Sequence, residues 1–593
     1  MEQVSRSVTK LAAAAAGLFV VVTALYLPAR RNGFLYDDYL LILNPDPPHS
    51  VADVAALFSR PYYPGLPYYR PVTSASFLIQ RSVQGDLAKP FHLGNVLLAG
   101  LLAVLTCGLL RRPCFGLAPG VAPAAAAVFV LHPVLSSCVY PISGRDTLLA
   151  TIGIVAAVWI YLRGTMLASL ASAAVFAAGL LTKEAAVVTP GLVALAELTG
   201  LSGSPRRSAR DLMLRAAPFA GVLALYASLR ALLLPGGHLA AGKLLYVPLT
   251  YLYALQVTLA PFGALLYEPP VAAWLSPLRL AFVALGLGAA AFAAWRAGPA
   301  ARASLAFGIG WFVVAPLPTA NLLWQETQFD ERYVAPAVLG LVLAGASLAS
   351  ASVRGHGTRA VLVAATWTLA AALAVVGLGR GPYFEEVAFY RHWLTIRPDS
   401  MTAQYNLANT LSKLGRLDEA VSAYRRALTI EPGHGGAHNN FGETLIKLGK
   451  RDDAVAQFRE AIRIDARNVK AHNNLGSALA LGGNLDGAIV EFREAVRLDP
   501  GDLSAMFDLG YALVLEGLDD EAIGRLTEVL RRDPGYAKAH KPLGLALLRR
   551  GRATEAAVEL EAALRAEPAD ADARRLLELA RRDREGDRPG LAR

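Results

Sequence analysis

A proline, a glycine and an alanine recur every 34 residues through the last third of this 593-residue chain. Pro398, Pro432, Pro500, Pro534 and Pro568 lie on one grid, with Ala466 at the missing point. Gly415, Gly449, Gly483, Gly517 and Gly551 share a second grid, and Ala420, Ala454, Ala488, Ala522 and Ala556 a third. Such a period restricts the fold more than composition does. One unit of this length cannot bury its apolar face alone, so neighbouring units must stack and share a core. The glycine marks the turn after a first helix, the alanine a close approach of paired helices, and the proline the stop of the second helix.

A 34-residue helix–turn–helix with these markers resembles the tetratricopeptide repeat. Five full units run 401–434, 435–468, 469–502, 503–536 and 537–570. A leading helix or linker spans 381–400, its helix at about 383–397, and a charged helix and tail at 571–593 cap the stack. Asn406, Asn440 and Asn474 recur at the same period, with Asn439 and Asn473 beside two of them. Stacked amides can hydrogen-bond an extended peptide without reading its sequence. The pattern resembles the asparagine ladder of the O-GlcNAc transferase repeat domain. The competing reading is structural, because asparagine is common at this slot of ordinary repeats. The ladder stops in the last two repeats, where Asp508 and Pro542 take the slot.

Residues 1–380 are different in kind. The whole chain is 54% hydrophobic and 18% charged, against about 25% charged in soluble domains. The polar repeats dilute an N-terminal part made of successive apolar runs. A membrane-spanning segment needs about 20 largely apolar residues. Candidates lie near 11–28, 91–110, 117–133, 147–162, 165–182, 185–200, 212–234, 274–295, 303–319, 333–352 and 360–379, eleven in all. The first is longer than a signal-peptide core and is read as an uncleaved span. Residues 246–265, broken by Pro248 and Pro261, are read as re-entrant or interfacial. The fold class expected is therefore all-α, a polytopic bundle of about eleven spans followed by an α-solenoid.

The net charge of +10 does not indicate nucleic acid, because much of the excess sits in short loops between apolar runs. With the N-terminus cytoplasmic, one face collects Arg111, Arg112, Arg163, Arg206, Arg207, Arg210, Arg296, Arg302, Arg354 and Arg359. That is the positive-inside pattern, and it puts the repeats outside the cytoplasm. The excess of Arg over Lys, with abundant Ala and Gly, suggests a GC-rich bacterial genome, and the spans are then expected in the bacterial inner membrane. Cys107, Cys114 and Cys138 show no metal-ligand spacing and no disulfide framework. The residues assign no metal site; a divalent ion is left open.

The opposite face receives FLYDDY with Asp37 and Asp38, His132 before Pro133, Arg145 and Asp146 in GRD, Lys183 and Glu184 in TKE, and Glu331 and Arg332 in DER. Carboxylates near a membrane plane are costly unless they face a polar cavity, which makes them functional candidates. For the aspartates the bland alternatives are a solvated loop or a helix N-cap. For the other charged pairs they are salt bridges or anchors, and for His132 a structural histidine.

FLYDDY, YYRPVTSASFLIQ, KPFHLGNVLLAG, LHPVLSSCVYPISGRDTLLA, LLTKEAA and DERYVAP follow one another in that order. As a set they resemble the transmembrane and tetratricopeptide repeat-containing O-mannosyltransferases and their bacterial relatives in the GT-C superfamily. VLSSCV stands where that family often has a threonine–glutamate pair. The resemblance implies a glycosyltransferase that moves a sugar, mannose by analogy, from a polyprenyl-phosphate donor to a Ser or Thr hydroxyl of an exported protein. It implies Asp37 or Asp38 as base and Arg145, Lys183 and Arg332 as donor-phosphate ligands. His132, Asp146, Glu184 and Glu331 would support them, and the repeats would recruit the acceptor protein. The rival expectation is a non-catalytic, membrane-anchored scaffold for envelope or secretion assemblies. A transporter is disfavoured because the spans lack charged residues at mid-depth.

Overall fold

The computed structural model describes residues 2–32, 54–58, 69–85, 87–202, 207–233, 247–259, 295, 298–317, 331–353, 355–380 and 386–585. Among these residues every regular element is helical, with no strand. The chain forms two compact units, Met1–Arg397 and Pro398–Arg593.

In the N-terminal unit six helices are long and apolar enough to cross a membrane: Ala13–Arg30, Ala88–Leu110, Ile142–Tyr161, Ala209–Leu233, Arg332–Ala351 and His356–Gly379. The bent pair Val121–Val130 and Pro133–Val139, 59° apart, makes a seventh if counted as one span. The expectation of eleven thus narrows to six or seven among the described residues. The physical reasons are local. Pro133 pushes His132 out of helical geometry (ψ 135°) and breaks the 117–133 run. The expected span 165–182 is the helix Met166–Leu180, and 303–319 falls on Pro299–Val314. At about 1.5 Å per residue each reaches less than the roughly 30 Å hydrocarbon thickness. The 185–200 run divides into a 3-10 turn, Glu184–Val188, and a ten-residue helix, Thr189–Leu198. Residues 246–265 yield one helix, Val247–Leu259; 260–265 and nearly all of 274–295 fall outside the described residues.

Small residues set the helix spacing in this unit. A Cβ on Gly308 would lie 2.6 Å from the Gly340 carbonyl oxygen, so Pro299–Val314 and Glu331–Ala351 touch backbone to backbone. Trp311, fully buried at that crossing, donates its indole N–H to the Pro336 carbonyl at 2.9 Å.

The C-terminal unit follows the 34-residue grid. Each repeat pairs a first helix (Met401–Lys413, Gly435–Lys447, Val469–Leu481, Leu503–Glu516, His540–Arg549) with a second (Leu417–Ile430, Arg451–Ile464, Leu485–Leu498, Asp519–Arg532, Ala553–Ala566). The five grid glycines all have φ between 73° and 82°, a left-handed closure that a Cβ disfavours. After each, the next N–H reaches back to the first helix, as Arg416 does to the Leu411 carbonyl at 2.9 Å. The grid alanines are completely buried between the paired helices.

Caps repeat too. The side chains of Ser400, His434, Asn468 and Asp502 accept from the backbone N–H of Ala403, Ala437, Ala471 and Ala505, and Asp502 also from that of Ser504, which satisfies orphan donors of the first turn. Tyr536 holds that slot in the fifth repeat, and a 3-10 turn, Ala537–Ala539, opens it instead. The last helix, Ala571–Glu585, packs on Ala553–Ala566 through buried Ala573, Leu577 and Ala580.

Candidate functional site

Charged side chains from several segments of the N-terminal unit meet in one node. Arg70, just before the helix Pro71–Gln84, bridges two carboxylates. Its Nη1 lies 2.7 Å from Asp146 Oδ2 and its Nη2 lies 3.0 Å from Glu184 Oε2. Lys183 Nζ sits 3.2 Å from Asp146 Oδ1 and donates to Thr147 Oγ1 at 2.6 Å. Thr147 in turn donates to Asp146 Oδ1 at 2.9 Å. Arg230, in the last turn of Ala209–Leu233, reaches Glu184 Oε1 at 3.3 Å. Arg332 acts through space on Asp146, and the Tyr333 ring lies 5.2 Å from Lys183 Nζ.

Most of this node is buried; Arg230 is more open than Arg70 and Lys183, with 30% of its side chain exposed against 12% and 6%. Burial pushes the Glu184 carboxyl up, but Arg70, its own backbone N–H and Arg230 outweigh this and hold it below the ordinary carboxylate range. Charge-assisted contacts of this type are shorter and stronger than neutral hydrogen bonds.

Of the residues expected at the donor phosphate, Lys183 and Arg332 join the node. Arg145 does not, although it precedes Asp146. Successive helical residues point about 100° apart, so the two side chains enter different surroundings. The Arg145 guanidinium donates to Asn95 Oδ1 (3.0 Å), Gln80 Oε1 (2.7 Å), and the Phe91 (2.9 Å) and Ser76 (3.4 Å) carbonyls, 4.5 Å from the Phe77 ring centre. It is 3% exposed and ties three helices together.

His132 also makes its hydrogen bonds apart from the node. Its Nδ1 accepts from the Val134 N–H at 3.2 Å, and its Nε2 faces the Thr258 carbonyl at 3.0 Å. The tautomer protonated at Nε2 satisfies both contacts. Glu331 stands at the start of the helix Glu331–Ala351; its side chain, and Asp37 and Asp38, lie outside the described residues. Arg70 and Arg230 were not singled out from sequence. Arg230 follows a charge-free stretch, 216–229, of its 25-residue helix, and that isolation is a signal for the second.

The repeat asparagines form a second polar array along the first helices. Asn440 Nδ2 donates to Tyr405 Oη (2.9 Å) and Asn409 Oδ1 (3.0 Å) of the preceding repeat. Asn474 Nδ2 does the same to Asn439 Oδ1 and Glu443 Oε1, both at 2.9 Å. Asn439 Nδ2 donates to Asn440 Oδ1 (3.2 Å) and Glu443 Oε1 (3.0 Å), and Asn473 Nδ2 to Asp508 Oδ2 (2.9 Å). Asn406 holds the equivalent position in the first repeat, half-buried. Asn440, Asn473 and Asn474 therefore link neighbouring repeats, and the last of these junctions falls on Asp508.

Sequence models described as Tetratricopeptide repeat match residues 399–467, 439–502, 491–537 and 516–580. No curated protein matches the chain. Among solved structures, YrrB, a TPR protein with an unusual peptide-binding site, is 24% identical over 34% of this chain and 99% of its own, with a TM-score of 0.30. MamA is 25% identical over 29% of this chain and 94% of its own, TM-score 0.27. PilF of Pseudomonas aeruginosa is 20% identical over 32% and 88%, TM-score 0.29. The family matches and the glycine, alanine and cap periodicity agree: residues 399–580 are a solenoid of tetratricopeptide repeats.

Proposed function

We propose that the chain is a membrane-anchored tetratricopeptide scaffold whose first helices hold an extended segment of a protein partner. The observation that carries this reading is the series of lateral polar contacts from Tyr405 to Asp508, one at each junction of four successive repeats. A ladder with a repeating vertical spacing suits a repeating ligand, and a polypeptide backbone supplies one. The apolar helices Ala88–Leu110 and His356–Gly379 support anchoring. The test uses the full chain in lipid nanodiscs and fluorescent unstructured peptides. Asn474→Ala removes two lateral bonds and should weaken binding about fivefold, since one hydrogen bond contributes about 1 kcal/mol. Peptide affinity unchanged in Asn474→Ala and Asn440→Ala alike would sink the reading.

A second reading is favoured by the charged node. In it, the N-terminal unit is a glycosyltransferase of a bacterial inner membrane, with the repeats outside the cytoplasm gathering the acceptor. Lys183 and Arg332, together with Arg70 and Arg230, engage the phosphate of a polyprenyl-phosphate sugar. One of Asp37 and Asp38 takes the proton of a Ser or Thr hydroxyl. That oxygen bonds to the anomeric carbon while the carbon–oxygen bond to phosphate breaks, and the phosphate departs with the electron pair. A positioned base contributes about 10²–10⁴-fold. Membranes incubated with candidate lipid-linked sugars, followed by mass spectrometry of protein acceptors, test this directly. Full transfer by both Asp37→Asn and Asp38→Asn would remove the mechanism.

A further inference from the structure

The ladder ends on a surface unlike the rest of it. Phe507 and Tyr511 stand one turn apart on Leu503–Glu516, with ring planes 9° apart and centroids 6.1 Å apart. Tyr536 closes on Phe507 at 5.4 Å. Tyr511 is 46% exposed. Its slot holds Asn409, Glu443 and Ser477 in the first three repeats and Leu545 in the fifth, so the exposed aromatic belongs to repeat four alone.

Asp508 lies between these rings in sequence and accepts from Asn473 Nδ2 at 2.9 Å. An ionised carboxylate only accepts, so Asn473 must turn its amide nitrogen toward it. That choice leaves Asn473 Oδ1 buried without a protein hydrogen-bond partner. Burial raises the Asp508 carboxyl, the Asn473 contact lowers it, Asp502 raises it and Lys538 lowers it, and the net direction is up. Lys541, which holds the Phe507 slot in the next repeat, is bound to Asp570 at 2.8 Å.

The rest of the ladder shares this polarity. Asn439, Asn440 and Asn474 each direct two Nδ2 bonds to protein acceptors, Asn440 and Asn474 to the preceding repeat and Asn439 to Asn440 and Glu443 of its own helix. What remains toward a ligand is acceptor oxygen, including the exposed Glu443 carboxylate. A surface of acceptors and ring faces is complementary to a group that only donates and is flat. Among side chains that group is guanidinium, with five N–H donors, no acceptor and a plane that stacks on aromatic rings.

We propose that the fourth-repeat end of the ladder, formed by Asn473, Asp508, Phe507 and Tyr511, is a specificity subsite for an arginine side chain of the bound protein segment. This rests on the reading of the repeats as a holder of extended protein segments, and adds the chemistry that selects the segment. The guanidinium lies on the Tyr511 ring and donates to Asp508, whose carboxylate Asn473 Nδ2 holds in place. Lysine is the poorer occupant, because an ammonium has no plane to stack.

The experiment measures fluorescence anisotropy of labelled ten-residue Gly/Ser/Ala peptides on the full chain in nanodiscs. The central residue is Arg, Lys, Gln or Glu. The expected order is Arg, Lys, Gln, Glu, with Arg about tenfold tighter than Gln. Asp508→Asn and Tyr511→Leu should each reduce the Arg-to-Gln ratio to about twofold or less. Tyr511 is exposed, so its variant keeps the test open should Asp508→Asn alter the fold. Equal binding of Arg, Gln and Glu peptides overturns the subsite and leaves the peptide-holding reading standing. A preference for arginine that survives both variants overturns the assignment to these residues. Failure of every peptide to bind overturns both.

Discussion

Two acids illustrate how position governs titration in this chain. Glu184 is held below its ordinary range by Arg70 and Arg230 against the effect of burial. Its contribution to stability is therefore present above the unfolded carboxylate value and lost as pH falls through the folded one. Asp508 has the opposite sign. Burial raises it, so stability is greatest below the ordinary carboxylate value and declines as pH rises through the folded one. Asp508→Asn should raise the thermal midpoint of the repeat unit at pH 7 and flatten this decline, as read by circular dichroism across pH. Arg70 is the residue on which the charged node depends most, because it joins Asp146 to Glu184. Arg70→Gln leaves two carboxylates short of a partner in a buried setting and should cost about 3 kcal/mol or more. Thermal unfolding of the detergent-solubilised chain measures it, and a change within 1 kcal/mol, roughly a surface substitution's effect, would contradict the buried node.

At the scale of the element, glycines in one repeat do different jobs. Gly449 supplies the left-handed turn (φ 74°), with open space around its Cβ position. Gly449→Ala should cost about 1–2 kcal/mol from backbone strain alone. Gly442 is helical, but a Cβ there would lie 2.5 Å from Phe458 Cε1. Gly442→Ala must push the two helices of the second repeat apart, at about 1–3 kcal/mol. Only the second loss should be relieved by Phe458→Leu, which shortens the opposing side chain. A chemical-denaturation double-mutant cycle separates the two. The same logic explains the bend at His132. Pro133 stops one helix, and the imidazole caps the next while reaching Thr258 on Val247–Leu259. Substitution by Ala should loosen that contact as well as the cap.

For the whole molecule, the division at Arg397 and Pro398 predicts that residues 398–593 expressed alone remain folded and unfold cooperatively. A broad, non-cooperative melt of that fragment would count against the division. The 34-residue grid, the turn glycines, the packed alanines and the capping helix were legible in the sequence because each repeat obeys local rules: a left-handed turn, a capped helix, a small residue at a crossing. The helical class of the N-terminal part was legible from its apolar runs. The number of complete spans was not, because Pro133 and the turn at Glu184–Val188 divide runs that hydropathy alone leaves whole. The charged node was legible only in part. Lys183, Glu184, Asp146 and Arg332 carry charge beside apolar runs, and sequence alone marks such positions. Which of them meet depends on how distant segments pack: Arg70 lies 76 residues from Asp146 and 114 from Glu184. The helical step of about 100° separates Arg145 from Asp146, but which of the two faces the node is set by the packing of distant segments. Sequence by itself determined the repeat solenoid and the helical apolar unit, because those follow from period and hydropathy. Only the tertiary structure decided which charges share a site and which way each amide faces, because both depend on packing between residues far apart in the chain.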